Sequence, residues 1–348
     1  MSKLINILKT LRTDRNLSVK ELAIHLNMDY TLYSRFENGS RIPNKEHIIK
    51  IASFYNIALN ELLVVWLSEK IYNEIKDEEI GLQALQLAES RVAYGKTTFV
   101  NHSLIEEINK LKLQLDKIRP LTKSHIKKLF EYYKIEYTYD SNRIEGNTLT
   151  LQETALVVEK GLTISGKSVQ EHFEAVNHAE AIDLLYDFVE ANSTISEHLI
   201  KQVHSLILRG IDKENAGRYR SVNVRISGSK HLPPEPYLLN KLMEDYIIFY
   251  NENCNKLHPV ILAAEMHERL VTIHPFIDGN GRTSRLIMNL VLLQAGYPIT
   301  NISSEKDNRL AYYKALEDVQ VNKDKKPFYE FVASSTIKSL RDFIKMAE

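Results

Sequence analysis

The chain of 348 residues carries a single cysteine, Cys254, so no intrachain disulfide can form and a reducing compartment is expected. Glycine (12) and proline (9) are sparse, which leaves helical spacing uninterrupted over long stretches and points to an all-α fold. No charge of one sign prevails: 45 Lys and Arg offset 45 Asp and Glu, which excludes a nucleic-acid coat or a membrane-surface protein on charge alone. Long apolar runs are missing too. Residues 62–67 form the longest early run, far too short to cross a bilayer, and the first residues, Met1-Ser2-Lys3-Leu4-Ile5-Asn6, lack the apolar segment of a signal peptide. A soluble cytoplasmic protein with no membrane partner is the expectation. No repeat of 20–50 residues is visible, and no spacing of His and Cys suits zinc.

Three regions emerge: residues 1–66, a helical linker over 67–120, and one continuous helical domain over 121–348. In the first, Leu4, Ile7, Leu8 and Leu11 share a helical face. Ser18 and Glu21 have the spacing of a capping box, Asn27 suits a left-handed turn, and Asp29 suits the start of a second short helix that Asn38-Gly39 ends. Two short helices around a tight turn are the helix-turn-helix plan. Leu17-Ser18-Val19-Lys20-Glu21-Leu22-Ala23, followed by Ser34-Arg35-Phe36-Glu37-Asn38-Gly39, resembles the phage-repressor (Cro/XRE) DNA-binding domain. That resemblance implies DNA as a partner, with Tyr30, Thr31, Ser34 and Arg35 at the base-facing positions. Val19 and Asn27 depart from the family's usual glutamine and glycine. Residues 1–66 carry nine Lys and Arg against six Asp and Glu, so electrostatic attraction to DNA is modest for a monomer; the alternative is a packing or dimerisation module. In the linker, Ile108, Leu111, Leu115 and Ile118 form a short stripe, read first as docking onto the next domain and second as the seam of a homodimer.

The richest stretch is His274-Pro275-Phe276-Ile277-Asp278-Gly279-Asn280-Gly281-Arg282-Thr283-Ser284-Arg285. It feeds an apolar run over 286–293, so a glycine-rich loop meets a helix N-terminus, where free N–H groups attract anions. A histidine titrates near neutrality and can serve as a general base. Asp278 is a hard oxygen donor suited to Mg²⁺. Gly279, Asn280 and Gly281 allow the backbone to approach phosphates, and Asn280 can add a side-chain N–H. Arg282 and Arg285 offer planar forks. Phe276 is expected to point inward.

This stretch resembles the signature of the Fic family, His-x-Phe-x-(Asp/Glu)-Gly-Asn-Gly-Arg-x-x-Arg, at every fixed position, with flanking similarity over roughly 121–335. The resemblance implies transfer of AMP from ATP to a hydroxyl side chain of a protein target, with ATP and Mg²⁺ as ligands and His274 as the base. Residues 217–234, including Arg225, Ile226, Ser227 and Gly228, resemble the family's β-hairpin flap, which pairs with an extended stretch of target; apolar and polar residues alternate over 221–228, as a strand requires. Tyr313 matches an aromatic beside the adenine, while Gln320 stands where relatives often carry asparagine. Ser141-Asn142-Arg143-Ile144-Glu145-Gly146 resembles the inhibitory motif Ser/Thr-x-x-x-Glu-Gly/Asn. Ser141 and Glu145 share a helix face, and the motif implies that Glu145 pairs with Arg285 and displaces the γ-phosphate. A plain capping box, Asn142 to Glu145, is the alternative. Two further readings stay open: a DNA-binding regulator that uses the Fic fold as a nucleotide sensor, and a Fic enzyme that removes AMP. The intact Asp-Gly-Asn-Gly-Arg loop speaks against the phosphoryl-transferring branch. His198, His204 and His267 lie in helical sequence and read as structural.

Overall fold

The computed structural model describes residues 3–81, 84–85 and 102–347, so residues 82–83 and 86–101 of the expected linker lie outside the described residues. The chain divides into two compact units, Met1–Gly95 and Lys96–Glu348. The described residues form fifteen α-helices and no strand, and no helix among them is long and apolar enough to cross a membrane.

The first unit holds α1 (Lys3–Asp14), α2 (Val19–His25), α3 (Tyr30–Glu37), α4 (Lys45–Tyr55) and α5 (Leu59–Ile75). The local signals act as their chemistry dictates. The Ser18 hydroxyl accepts from the Glu21 N–H (3.2 Å) and the Glu21 carboxylate accepts from the Ser18 N–H (2.7 Å), which closes the capping box of α2. Asn27 takes the left-handed conformation (φ 48°), and Asp29 caps α3 through the Leu32 N–H at 2.9 Å. Leu8, Leu22, Tyr33, Phe36 and Ile48 fill the core. Tyr30, Thr31 and Arg35 are exposed on α3 and Ser34 is half-buried.

The second unit contains α6 (His102–Lys117), α7 (Lys123–Ile144), α8 (Leu151–Lys160), α9 (Val169–Glu190), α10 (Glu197–Ile207), α11 (Leu239–Asn253), α12 (Pro259–Ile273), α13 (Asn280–Gln294), α14 (Lys306–Asn322) and α15 (Lys326–Ala347). α12 and α13 pack against each other at its centre, and α9, α10 and α15 pack around them. Nearly every residue of α12 and α13 is buried, the polar Glu265, His267, Glu268, Arg282, Arg285 and Asn289 included, so the pair is enclosed on all sides by the unit. The apolar stripe of α6 faces inward: Ile108 and Leu115 are fully buried, and α6 packs on α15.

The strand expected over 221–228 does not form. A turn is present, with the Ser229 N–H bonded to the Ile226 carbonyl at 3.1 Å, but no ladder flanks it among the described residues. The returning arm contains Pro233 and Pro234, which have no N–H to donate. Carbonyls that a ladder would use are taken instead by the Arg220 guanidinium, at Val222 (2.9 Å) and Pro234 (2.6 Å).

Candidate active site

His274 ends α12 in the left-handed conformation (φ 50°, ψ 57°), which turns the chain sharply into the loop 275–279. Its Nδ1 faces the Val271 carbonyl at 3.2 Å. A carbonyl only accepts, so Nδ1 carries the proton and the lone pair lies on Nε2. Burial lowers the pKa of His274; Arg220 and His231 push the same way, while the Val271 carbonyl and Glu145 oppose them. The imidazole is therefore neutral at pH 7, as a base must be.

The loop is held from below. Phe276 is fully buried and stacks on the His204 ring, with centroids 3.6 Å apart and planes 5° from parallel. His204 Nε2 donates to the Asp278 carbonyl (2.9 Å), and its Nδ1 accepts from the Gly217 N–H (2.9 Å). Burial pushes His204 down to about 4, so it stays neutral. The Asn280 side chain does not face the cleft as expected: its Oδ1 accepts from the Phe276 N–H (3.0 Å) and its Nδ2 donates to the Phe276 carbonyl (2.9 Å). Asn280 thus fastens the loop to itself. Gly279 at φ 76° starts α13, and no side chain caps the N–H groups of its first turn, which lack intrahelical acceptors.

A cleft of about 840 Å³ lies above this loop. His274, Asp278, Gly279, Gly281 and Arg285 line its floor; Arg225, Ile226, Ser227 and Gly228 line one wall, and Tyr313 and Gln320 another. Tyr313 is held by its hydroxyl on the Ile144 carbonyl at 2.8 Å, and Gln320 donates to Thr272 Oγ1 at 3.3 Å. The sequence pattern had placed Arg282 in this set. The structure buries it instead beside Asp278 (Nη2 to Oδ2, 3.2 Å) and Glu174 (Nη1 to Oε1, 3.4 Å), and it does not line the cleft. Arg220, buried and unrecognised from its residue type, donates to the carbonyls of His274 (2.8 Å), Val222 and Pro234, and so clamps the loop to the 222–234 segment.

Arg285 is 1% exposed at the floor of the cleft. Its Nε donates to Ser141 Oγ (3.1 Å), and its Nη2 to the Ser141 carbonyl (2.9 Å) and to Glu145 Oε1 (2.8 Å). Burial acts against its charge, yet the guanidinium is held above its usual pKa, chiefly by the Glu145 carboxylate. Glu145 follows the last residue of α7, and the chain turns away at Gly146 (φ 106°). Asn142 lies inside α7 and donates to the Glu174 carbonyl (3.2 Å), so the capping-box alternative is excluded.

Asp278 presents a carboxylate that is 61% exposed at the cleft. Among the described residues no group of three or more His, Cys, Asp or Glu could hold a metal ion. One largely exposed carboxylate, with a single oxygen on Arg282, is a donor that Mg²⁺ could use, since that ion keeps waters and completes its shell from other ligands.

Residues 194–292 match the Fic/DOC family and residues 8–62 match the helix-turn-helix family. A protein adenylyltransferase Fic of Nematostella vectensis is 33% identical over 281 residues, covering 80% of this chain and 64% of the relative. One of Drosophila grimshawi is 40% identical over 210 residues, covering 59% of this chain and 42% of the relative. The chain spans less than two thirds of the length of these curated relatives. A solved Fic domain-containing signaling protein of Bacteroides thetaiotaomicron superposes with a TM-score of 0.64 at 30% identity, covering 69% of this chain and 97% of that one. The chain belongs to the Fic/DOC family, with a helix-turn-helix unit at its N-terminal end.

Proposed function

We propose that the second unit transfers AMP from ATP to a Ser, Thr or Tyr hydroxyl of a protein target, and that Glu145 holds this activity low. The observation that carries the reading is the meeting of three features in one cleft: the Nε2 lone pair of His274, the first turn of α13, and an arginine fork occupied by the chain's own carboxylate at 2.8 Å. The name of the relatives, protein adenylyltransferase, supports it.

In this reaction His274 Nε2 takes the proton of the target hydroxyl. The oxygen then bonds to the α-phosphorus, the bond from that phosphorus to the bridging oxygen breaks, and pyrophosphate leaves. The chain's part is positioning and charge neutralisation. The N–H groups opening α13 and the Arg285 fork would receive phosphate oxygens. Mg²⁺, where bound, would be held by Asp278 and would neutralise phosphate charge. The 225–228 wall offers backbone to an extended target segment, and Tyr313 offers a ring to the adenine.

Glu145 opposes all of this through electrostatics. It places negative charge where a polyphosphate would, and it takes the donor such a group needs. A nucleotide that enters with its α-phosphate displaced by about 1 Å loses about a hundredfold in rate. Removing the carboxylate tests the reading. Glu145→Gly should raise incorporation of labelled AMP by about ten- to a hundredfold, and His274→Ala in the same background should abolish it. Equal incorporation in all three proteins would reject it. The first unit is proposed to bind DNA through Tyr30, Thr31, Ser34 and Arg35; unchanged migration of the gene's own promoter DNA in a gel shift at low salt would count against that.

A further inference from the structure

Glu174, on α9, is joined to the segment around Glu145 by contacts the sequence motifs do not include. Its Oε2 accepts from Asn147 Nδ2 at 2.8 Å, and its backbone carbonyl accepts from Asn142 Nδ2 at 3.2 Å. Asn142 and Asn147 bracket Glu145 on both sides in sequence, and both are buried. Asn147 Nδ2 also reaches the Glu171 carbonyl at 3.1 Å. The last turn of α7 and the chain that leaves it are thus tied to one stretch of α9.

The second oxygen of Glu174 faces elsewhere. Oε1 stands 3.4 Å from Arg282 Nη1 and accepts from Gln170 Nε2 at 3.2 Å. Arg282 is buried, and among the described residues its Nε and Nη1 have no hydrogen-bond acceptor. Its countercharges are Glu174, whose side chain is 12% exposed, and Asp278, which is 61% exposed. A buried guanidinium needs a nearby carboxylate, and Glu174 is the less exposed of the two that reach it. Each oxygen then has its own duty, one toward Arg282 on α13 and one toward Asn147 after the brake.

We infer that Glu174 is a positioning residue that seats the inhibitory segment, with Asn147 as its latch partner. This rests on the reading of Glu145 as a brake. Glu174 acts only through the position of Glu145 and touches no substrate. A glutamine at 174 has one acceptor oxygen and a neutral amide, so it cannot serve Asn147, Gln170 and the Arg282 cation together. An aspartate at 147 still accepts from the Leu149 N–H, as Asn147 does at 3.0 Å. It loses the Nδ2 donor and sets a like charge against Glu174.

The experiment uses the full chain and two readouts. Glu174→Gln and Asn147→Asp should each raise AMP incorporation several-fold when Glu145 is present, and neither should add to the rate of Glu145→Gly. In the same proteins, amide hydrogen exchange over residues 142–147 should quicken at least tenfold. A loss of activity of equal size in both backgrounds would mark Glu174 as merely structural and overturn the inference. Unchanged exchange over 142–147 in Asn147→Asp would overturn it as well, whatever the activities. Should Glu174→Gln fail to fold for want of a partner for Arg282, Asn147→Asp decides alone, since it leaves that pair in place. Should Glu145→Gly itself show no gain, the brake reading falls, and the exchange measurement still decides whether Glu174 seats the segment.

Discussion

The Glu145 carboxylate rests on Gly281: a Cβ built at residue 281 would stand 2.2 Å from Glu145 Oε1 and 3.1 Å from Arg285 Nη1. The space above the first turn of α13 therefore holds the Glu145 carboxylate and leaves no room for a side chain at residue 281. In the active form the same space is expected to hold phosphate. Gly281→Ala should then abolish ATP binding in the otherwise native chain and equally in the Glu145→Gly background, because the methyl group blocks both occupants. Calorimetric titration with ATP measures this. Undiminished uptake by the double variant would place the polyphosphate elsewhere.

The pH dependence of transfer follows from His274. A base works deprotonated, and burial already lowers its pKa from the ordinary value of 6.5. The rate should therefore climb with pH on an acid limb whose midpoint lies below 6.5 and stay level from pH 7 to 8. Glu145 raises the His274 pKa, so Glu145→Gly should move the midpoint lower still. Initial rates of AMP incorporation in the Glu145→Gly protein between pH 5 and 8 check this. An acid limb centred above 7 would show that another group controls the proton.

Much of the fold, and the inward anchor of the site, could be read from short-range chemistry. Ser18 and Glu21, Asp29, Asn27 and the inward Phe276 each act within a few residues of themselves, and the structure has them as their types require. The Arg285–Glu145 pair spans 140 positions and was legible only because both ends lie in recognisable motifs. Where one end lacked a motif, the partnership was invisible. Asn280 carried the expectation of a phosphate contact, but a short amide four residues from Phe276 reaches that residue's backbone first. His204 looked like an ordinary helical histidine because its partners, Asp278 and Gly217, come from other segments. The alternation over 221–228 satisfied the strand pattern, which is blind to prolines in the opposing arm.

Arg220 should reveal itself by a split between binding and turnover. Its fork serves three carbonyls that lie on both the loop and the 222–234 segment. Lysine keeps the charge but offers a point donor in place of a planar fork. Arg220→Lys, placed in the Glu145→Gly background, should lower AMP transfer at least about tenfold through misplacement of His274 and the target-facing wall. ATP affinity should change little, because the α13 N-terminus and Arg285 remain. Calorimetry alongside initial rates separates the two. Parallel loss of both would mean that Arg220 supports the fold as a whole rather than the register of loop and wall.

Buried neutral histidines should make the second unit acid-labile at a pH where its lowered carboxylates are still ionised. Burial pushes His204 down to about 4 and His267 to about 3, and holds His178 well below its usual value. The sign follows from proton counts. Below pH 6.5 the unfolded chain protonates these rings while the native state does not, so stability is full above 6.5 and is lost as pH falls toward the folded values. At pH 5 His204 and His267 each forfeit about 2 kcal/mol, and His178 acts in the same direction. Carboxylates held below their usual range, such as Glu171 at about 2, still ionise in both states at that pH and contribute little, whereas burial raises Glu268, which offsets a small part of the loss. The melting temperature of the second unit should therefore drop by roughly 10 °C between pH 7 and pH 5. His204→Gln can donate to the Asp278 carbonyl and accept from Gly217 without titrating, so its drop should be visibly shallower. Scanning calorimetry across that interval tests both points. A melting temperature flat from pH 7 to 5 would mean that these imidazoles charge freely in the native state, and the neutral ring that holds the Asp278 carbonyl under the loop would have to be abandoned.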